Sequence, residues 1–131
     1  MERMIIVAEE EDTARSSLAD LLRDEGYKVF EAASTISVVS YLATHSGVEL
    51  ILLDLEMPQW PRVLTHPQTL SRKPYVIGMV RPGSLPNVTT ARDLGVDEYL
   101  VKPILFQSVQ EKVSRAFAAR SILRIDLSKT Y

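Results

Sequence analysis

Apolar and polar positions along this chain switch repeatedly between a period of two or less and a helical period. Met4 to Ala8 is a short β-rich apolar run. After it, Ala14, Leu18, Leu21 and Leu22 recur at helical spacing, with Asp12 or Thr13 as N-cap and Gly26 just past the end. YKVFEA (27–32) reads as a second strand, and Thr35 is placed to cap a second helix with Val38, Val39 and Leu42 on its apolar face, ending near Gly47. ELILLD (49–54) is almost entirely apolar, as a central parallel strand covered on both faces must be. YVIGMV (75–80) predicts a fourth strand, ARDLGV closes a helix at Gly95, and EYLV (98–101) predicts a fifth strand. Val109, Val113, Ala116 and Phe117 mark a final helix.

Five strands, each followed by a helix, imply an α/β architecture: a doubly wound parallel sheet with right-handed crossovers and helices on both faces. No internal repeat or low-complexity segment interrupts the alternation. The exception is PQWPRVLTHPQTLSRK (58–73), where three prolines make the third helix short or irregular.

Composition narrows the class. A chain of 131 residues with 46% hydrophobic and 24% charged content makes one globular domain with a real core. Its net charge of −2 gives no basic surface for direct nucleic-acid binding. Without cysteine there is neither a disulfide framework nor a thiolate metal site. No apolar run approaches the ~18 residues of a membrane span, and the N-terminus lacks a secretory pattern, so no membrane association and a cytoplasmic location are expected.

The first strand ends in four consecutive acids, Glu9, Glu10, Glu11 and Asp12. A solvated acidic loop is the bland explanation. The architecture offers another, because doubly wound sheets bind ligands beyond the carboxyl ends of their strands. With strand order 2-1-3-4-5, Glu9 and Glu10 after strand one and Asp54 at the end of strand three converge, with Lys102 at the end of strand five facing them. Packed carboxylates raise each other's pKa unless a cation intervenes. Short-loop oxygen ligands suit Mg²⁺, and an aspartate beside a metal and a lysine can accept a phosphoryl group.

These residues resemble the receiver domain of bacterial two-component response regulators, in an atypical variant. The resemblance runs from about Met4 to Phe117 and is carried by EEEDTAR with Arg15, LILLDLEMP around Asp54, and DLGVDEYLVKP ending in Lys102-Pro103. It implies a flavodoxin-like fold of order 2-1-3-4-5 over residues 1–119. Asp54 would be the phosphoacceptor, charged by a histidine kinase or phosphotransfer protein, and Lys102 would contact the phosphoryl oxygens. Mg²⁺ would be held directly by Glu10 and Asp54, through water by Glu9, and by the backbone carbonyl of Glu56. Pro103 would form a cis peptide with Lys102, and Tyr99 would be the aromatic that swings inward on activation. A homodimer through the fourth helix, fifth strand and fifth helix is a further expectation of the resemblance, as is the absence of enzymatic activity beyond the domain's own phosphorylation and dephosphorylation.

Three departures qualify it. Glu10 stands where the family usually has aspartate, and its extra methylene weakens a Mg²⁺ site that tolerates poor geometry badly. The position of the family's Thr or Ser at the end of strand four is Val80, counting back from Lys102 without a gap, so the hydroxyl that joins phosphate to aromatic is missing. The family's glycine after Met57-Pro58 is replaced by Gln59. Val80 and Glu10 favour a phosphorylation-independent interaction module, whereas Asp54 and Lys102 favour a phosphoryl-accepting switch. A flavin site is a poor fit, since an acidic loop after strand one repels a phosphate. So is an aspartyl phosphatase, whose D-x-D would follow strand one.

The blander positions are soon assigned. His45 and His66 are expected at the surface, Trp60 in the packing of the irregular segment, and Tyr99 in half-buried packing. Residues 120–131 are a C-terminal extension or the start of a linker, with Leu123 and Leu127 fitting helical spacing and Leu123, Ile125 and Leu127 fitting strand alternation.

Overall fold

A computed structural model describes residues 3–129, with side chains excepted at positions 85 and 120–129. In chain order the elements are β1 (Met4–Ala8), α1 (Asp12–Asp24), β2 (Lys28–Ala32), α2 (Thr35–Thr44), β3 (Val48–Asp54), α3 (Pro61–Thr65), α4 (Pro67–Arg72), β4 (Tyr75–Val80), α5 (Leu85–Asp93), β5 (Glu98–Val101) and α6 (Phe106–Lys129). The five strands form one parallel sheet of order β2-β1-β3-β4-β5. The α/β class agrees with the pattern of apolar runs, and the strand order with the one the resemblance implies.

Strand periodicity explains the two-faced core. In β1 and β3, Ile6, Ala8, Ile51 and Leu53 point to the side of α2, α3 and α5, where Val38, Leu42, Val63 and Ala91 cover them. Their neighbours Ile5, Val7, Leu50 and Leu52 point to the other side, against Leu18 and Leu22 of α1 and Val109, Val113 and Phe117 of α6. Leu50 to Leu53 are completely buried, which is why β3 shows no polar alternation. At the edge, β2 has only Ala32 fully buried.

Helix starts differ from expectation by one residue. Glu11, rather than Asp12 or Thr13, caps α1, its carboxylate accepting from the backbone N–H groups of Thr13 and Ala14 at 3.2 and 2.7 Å. Ser34 caps α2 in place of Thr35. Thr35 is buried instead and donates its hydroxyl to the Pro58 carbonyl at 2.7 Å, tying α2 to the loop after β3. Further along, α2 ends at Thr44, short of Gly47.

The expected irregular third helix is a helix broken in two. Pro67 lacks an N–H and pushes His66 out of helical conformation to ψ 139°, separating α3 from α4. Half-buried rather than simply exposed, His66 caps α4 through Nδ1, which accepts from Gln68 N–H at 3.1 Å. Trp60 is buried in the core cluster under this segment, as expected of a packing residue. The backbone of α6 is helical through Lys129, so the helical alternative holds for 120–129, while the side chains of Leu123, Ile125 and Leu127 lie outside the described ones.

Gln59 occupies the turn where a glycine is missing, and it adopts φ 61°, the left-handed region that a Cβ disfavours. Gln59→Gly should therefore raise stability by up to about 1 kcal/mol, relief of the left-handed strain being partly offset by the entropy of glycine in the unfolded chain. The midpoint of urea unfolding checks this, and an unchanged or lower midpoint contradicts it.

Candidate functional site

The parallel sheet delivers three chain segments to its carboxyl edge. Beyond β1, Glu9 N–H bonds the Ala32 carbonyl at 3.0 Å; beyond β3, Leu55 N–H bonds Met79 at 2.9 Å; beyond β5, Lys102 N–H bonds Val80 at 2.7 Å. These continuations of the strand ladders hold the backbone at the site in register with the sheet. Arg15 adds a clamp from α1, its Nη1 donating to the carbonyls of Glu9 and Glu10 at 3.0 and 3.5 Å while Nη2 pairs with Asp12 at 2.6 Å.

Three side chains meet there. Lys102 Nζ lies 3.0 Å from Glu9 Oε1 and 3.1 Å from Asp54 Oδ1. The same Asp54 oxygen accepts from Glu56 N–H at 2.9 Å, and Glu9 Oε2 accepts from Glu11 N–H at 3.2 Å. Glu9 and Asp54 are only 3% and 2% exposed, so one ammonium group serves two buried carboxylates. A cavity of about 340 Å³ opens over them, lined by Glu9, Glu10, Glu11, Asp54, Glu56, Arg81 and Lys102.

The electrostatics follow from this crowding. Burial, and then the hydrogen bond with Asp54, push the Glu9 carboxyl above its ordinary value of 4.5. Burial also pushes Asp54 upward, but its bonds with Glu9, Glu56 N–H and Lys102 outweigh that and hold it below its ordinary 3.8. Burial disfavours the Lys102 cation, yet the two carboxylates more than compensate and raise its pKa. The site is built to keep Asp54 ionised, which a carboxylate nucleophile needs.

Glu9, Asp54 and Lys102 are thus brought into direct contact. Glu10 lines the cavity but is exposed, at its rim. The Glu56 side chain turns away from Asp54: its Oε1 accepts from Ser84 Oγ at 2.6 Å and from Arg81 N–H at 3.4 Å, bridging to the loop before α5. Val80 is buried in the core with no hydroxyl to offer the cavity. Tyr99 is half-buried against the same core, its hydroxyl donating to the Val88 carbonyl at 3.1 Å. Gly78 makes room for Leu55, because a Cβ there would stand 2.8 Å from Leu55 Cδ1. The Lys102–Pro103 peptide is cis.

Among the described residues, no three His, Cys, Asp or Glu side chains converge closely enough to cage a bare ion. The oxygen set around the cavity nevertheless suits Mg²⁺, which binds through one or two carboxylates and retains several waters. The motifs give two residues no role. Glu11, the third acid after β1, spends its carboxylate as a helix cap. Arg81 belongs to no motif, but its place immediately after β4 puts it at the carboxyl edge of the sheet.

Comparison with known proteins points the same way. The model of the family described as response regulator receiver domain matches residues 5–114. The transcriptional regulatory protein PdtaR of Mycobacterium tuberculosis is 30% identical over 118 residues, covering 86% of this chain. The match spans 58% of that relative's own length. Among solved structures, a CheY-like response regulator receiver domain protein from Methanospirillum hungatei superimposes with a TM-score of 0.84 at 21% identity, covering 92% of this chain and 98% of the other. The receiver domain of Saccharomyces cerevisiae Ssk1, co-crystallised with the histidine phosphotransfer protein Ypd1, gives a TM-score of 0.75 at 16% identity, covering 86% and 87%.

The raised Glu9 pKa makes a prediction with a definite sign. Ionised Glu9 costs the folded state stability, a cost absent below pH 4.5 and growing as pH rises through the folded pKa. Glu9→Gln keeps an acceptor for Lys102 without the charge. The variant should match the wild type in acid and exceed it in stability at pH 7. Urea unfolding at the two pH values is the measurement; a variant less stable at pH 7 refutes the assignment.

Proposed function

Because this chain belongs to the receiver-domain family of response regulators, we propose that it accepts a phosphoryl group on Asp54 from a histidine kinase or phosphotransfer protein, with Mg²⁺, and acts as a signalling switch. The single observation that carries the reading is Lys102 Nζ seated between Glu9 and Asp54. Glu10, the Asp54 carboxylate, the Glu56 carbonyl and, through water, Glu9 would hold Mg²⁺, which would supply positive charge to offset the phosphoryl oxygens.

The chain's own residues do the rest. An Asp54 carboxylate oxygen attacks the phosphorus of the donor phosphohistidine; the P–O bond forms as the P–N bond breaks, and the imidazole departs. Glu56 N–H and Lys102 fix the carboxylate so that it meets the phosphorus without reorienting. Lys102 then neutralises charge on the transferred group. The domain performs no chemistry beyond its own phosphorylation and dephosphorylation, and it works in the cytoplasm. Among the described residues, no helix is long and apolar enough to cross a membrane.

A partner surface lies beside the site. A second cavity, about 450 Å³, shares Glu9 and Lys102 and is walled by Ala14 and Leu18 of α1 with Pro103, Ile104 and Phe106. Leu105 and Phe106 are 67% and 51% exposed, a large apolar surface to leave in water. A helix of a phosphotransfer protein laid across α1 and this loop would bring its phosphohistidine to Asp54; the pairing of Ypd1 with the Ssk1 receiver domain supports that choice of partner. A second copy of the chain would dock elsewhere, through α5, β5 and α6, the counterparts of the fourth helix, fifth strand and fifth helix once α3 and α4 are counted separately.

One observation favours a second reading, a phosphorylation-independent interaction module. Tyr99 is already packed inward and bonded to Val88, and Val80 provides no donor through which a phosphoryl group could control it. The two readings separate experimentally. With a small phosphoryl donor, the wild type should gain one phosphoryl group in a Mg²⁺-dependent manner, seen by intact mass, and Asp54→Ala should gain none. Equal labelling of both proteins, or none of either, rejects the switch. Val80→Thr, which restores the hydroxyl, should increase the dependence of partner affinity on phosphorylation several-fold; the same affinity in both states of the variant counts against the missing-hydroxyl explanation.

A further inference from the structure

The loss of the hydroxyl at Val80 leaves the end of β4 without a side-chain donor, yet the next residue is a cation. Arg81 is exposed and lines both cavities at the site, together with Lys102 and Glu9. Although acids surround the cavity, the Arg81 guanidinium forms no ion pair or hydrogen bond among the described residues. Only its backbone is engaged, with N–H donating to Glu56 Oε1 at 3.4 Å. Glu56 is meanwhile committed to Ser84 at 2.6 Å, so this carboxylate holds the Arg81–Ser84 loop rather than the guanidinium.

The two cations lining the cavity are therefore unequal. Lys102 is spent on Glu9 and Asp54, whereas Arg81 is uncommitted. A phosphoryl group on Asp54 adds close to two negative charges and three acceptor oxygens to a cavity already rich in carboxylates. One lysine cannot satisfy them. A guanidinium offers a planar fork that matches two phosphoryl oxygens at once, and it pairs with phosphate bidentately more readily than a lysine does.

We propose that Arg81 is a phosphoryl-binding residue of this domain, supplying from β4's end the donor that Val80 lacks. This rests on the reading of Asp54 as phosphoacceptor. It goes beyond it by assigning the phosphoryl contact to a side chain of a different chemistry at a different position. Closure of Arg81 onto the phosphoryl group also pulls on the loop leading into α5, giving that helix a link to the phosphorylation state that does not pass through a hydroxyl.

The test uses the full chain with Mg²⁺ and beryllofluoride, which adds to a carboxylate as a phosphoryl mimic. Arg81→Met should weaken beryllofluoride binding on the order of tenfold, as expected for loss of a charge-assisted hydrogen-bonding group, and Arg81→Lys should recover it only in part. Mg²⁺ affinity of the unmodified Arg81→Met protein should be unchanged or tighter, since a cation has left an acidic cavity, whereas damage to the loop would weaken both. Unfolding midpoints confirm that these surface variants are folded. Wild-type binding with equal affinity in Arg81→Met overturns the Arg81 assignment alone. No binding to the wild type overturns the phosphoacceptor reading and this inference with it.

Discussion

Two carboxylates from neighbouring strand ends are buried against each other, and a single ammonium group makes that arrangement tenable. Glu9 and Asp54 would repel in a low-dielectric pocket if Lys102 did not stand 3.0 and 3.1 Å from them. The rest of the site is arranged around this contact. Glu56 N–H and Glu11 N–H each hold one of the carboxylates, Arg15 pins the carbonyls beneath them, and the strand ladders run on by one residue to keep Glu9, Leu55 and Lys102 in place. Such a pocket holds negative charge in readiness for a cation or an electrophilic phosphorus.

The sheet is what allows that contact. β1 and β3 are adjacent only because the chain crosses over between them, and β5 reaches the site from the far edge by way of β4. The core on both faces fixes their register, since a one-residue slip would turn buried leucines and isoleucines toward the wrong layer of helices. Packing and chemistry are therefore coupled: the same burial that stabilises β1 and β3 also desolvates both carboxyls, which raises Glu9, while the bonds around Asp54 outweigh it and hold that carboxyl down.

Around this common centre the chain has altered the usual receiver arrangement at several points. Valine replaces a hydroxyl at the end of β4, glutamate replaces an aspartate at the cavity rim, Gln59 occupies a left-handed turn, and two short helices stand where one regular helix would run. The loop after β4 is held instead by Glu56 through Ser84 and the Arg81 backbone. Tyr99 is half-buried and its hydroxyl bonds the Val88 carbonyl in the backbone of α5. Of these changes, Val80 falls on the route from the proposed phosphoacceptor Asp54 to α5, while Lys102 stays in contact with Asp54.

Much of this was legible in the order of residues. Strand runs such as ELILLD and YVIGMV announce a buried parallel sheet because burial on both faces leaves no room for polar alternation, and acids or a lysine just beyond such runs must lie at one edge of it. The cis Lys102–Pro103 peptide and the broken third helix were legible too, the first from a family motif and the second from the inability of proline to continue a helix. Side-chain partners were not. Whether Glu11 caps a helix or joins the pocket, whether Thr35 caps α2 or bonds Pro58, and where Glu56 and Arg81 turn depend on atoms brought close by distant parts of the chain. Linear spacing carries the periodicity of local backbone geometry, so it determined the elements and the residues at their ends. Only the folded sheet, by setting distances between strands far apart in sequence, decided that Lys102 binds Glu9 as well as Asp54 and that Arg81 is left facing the cavity.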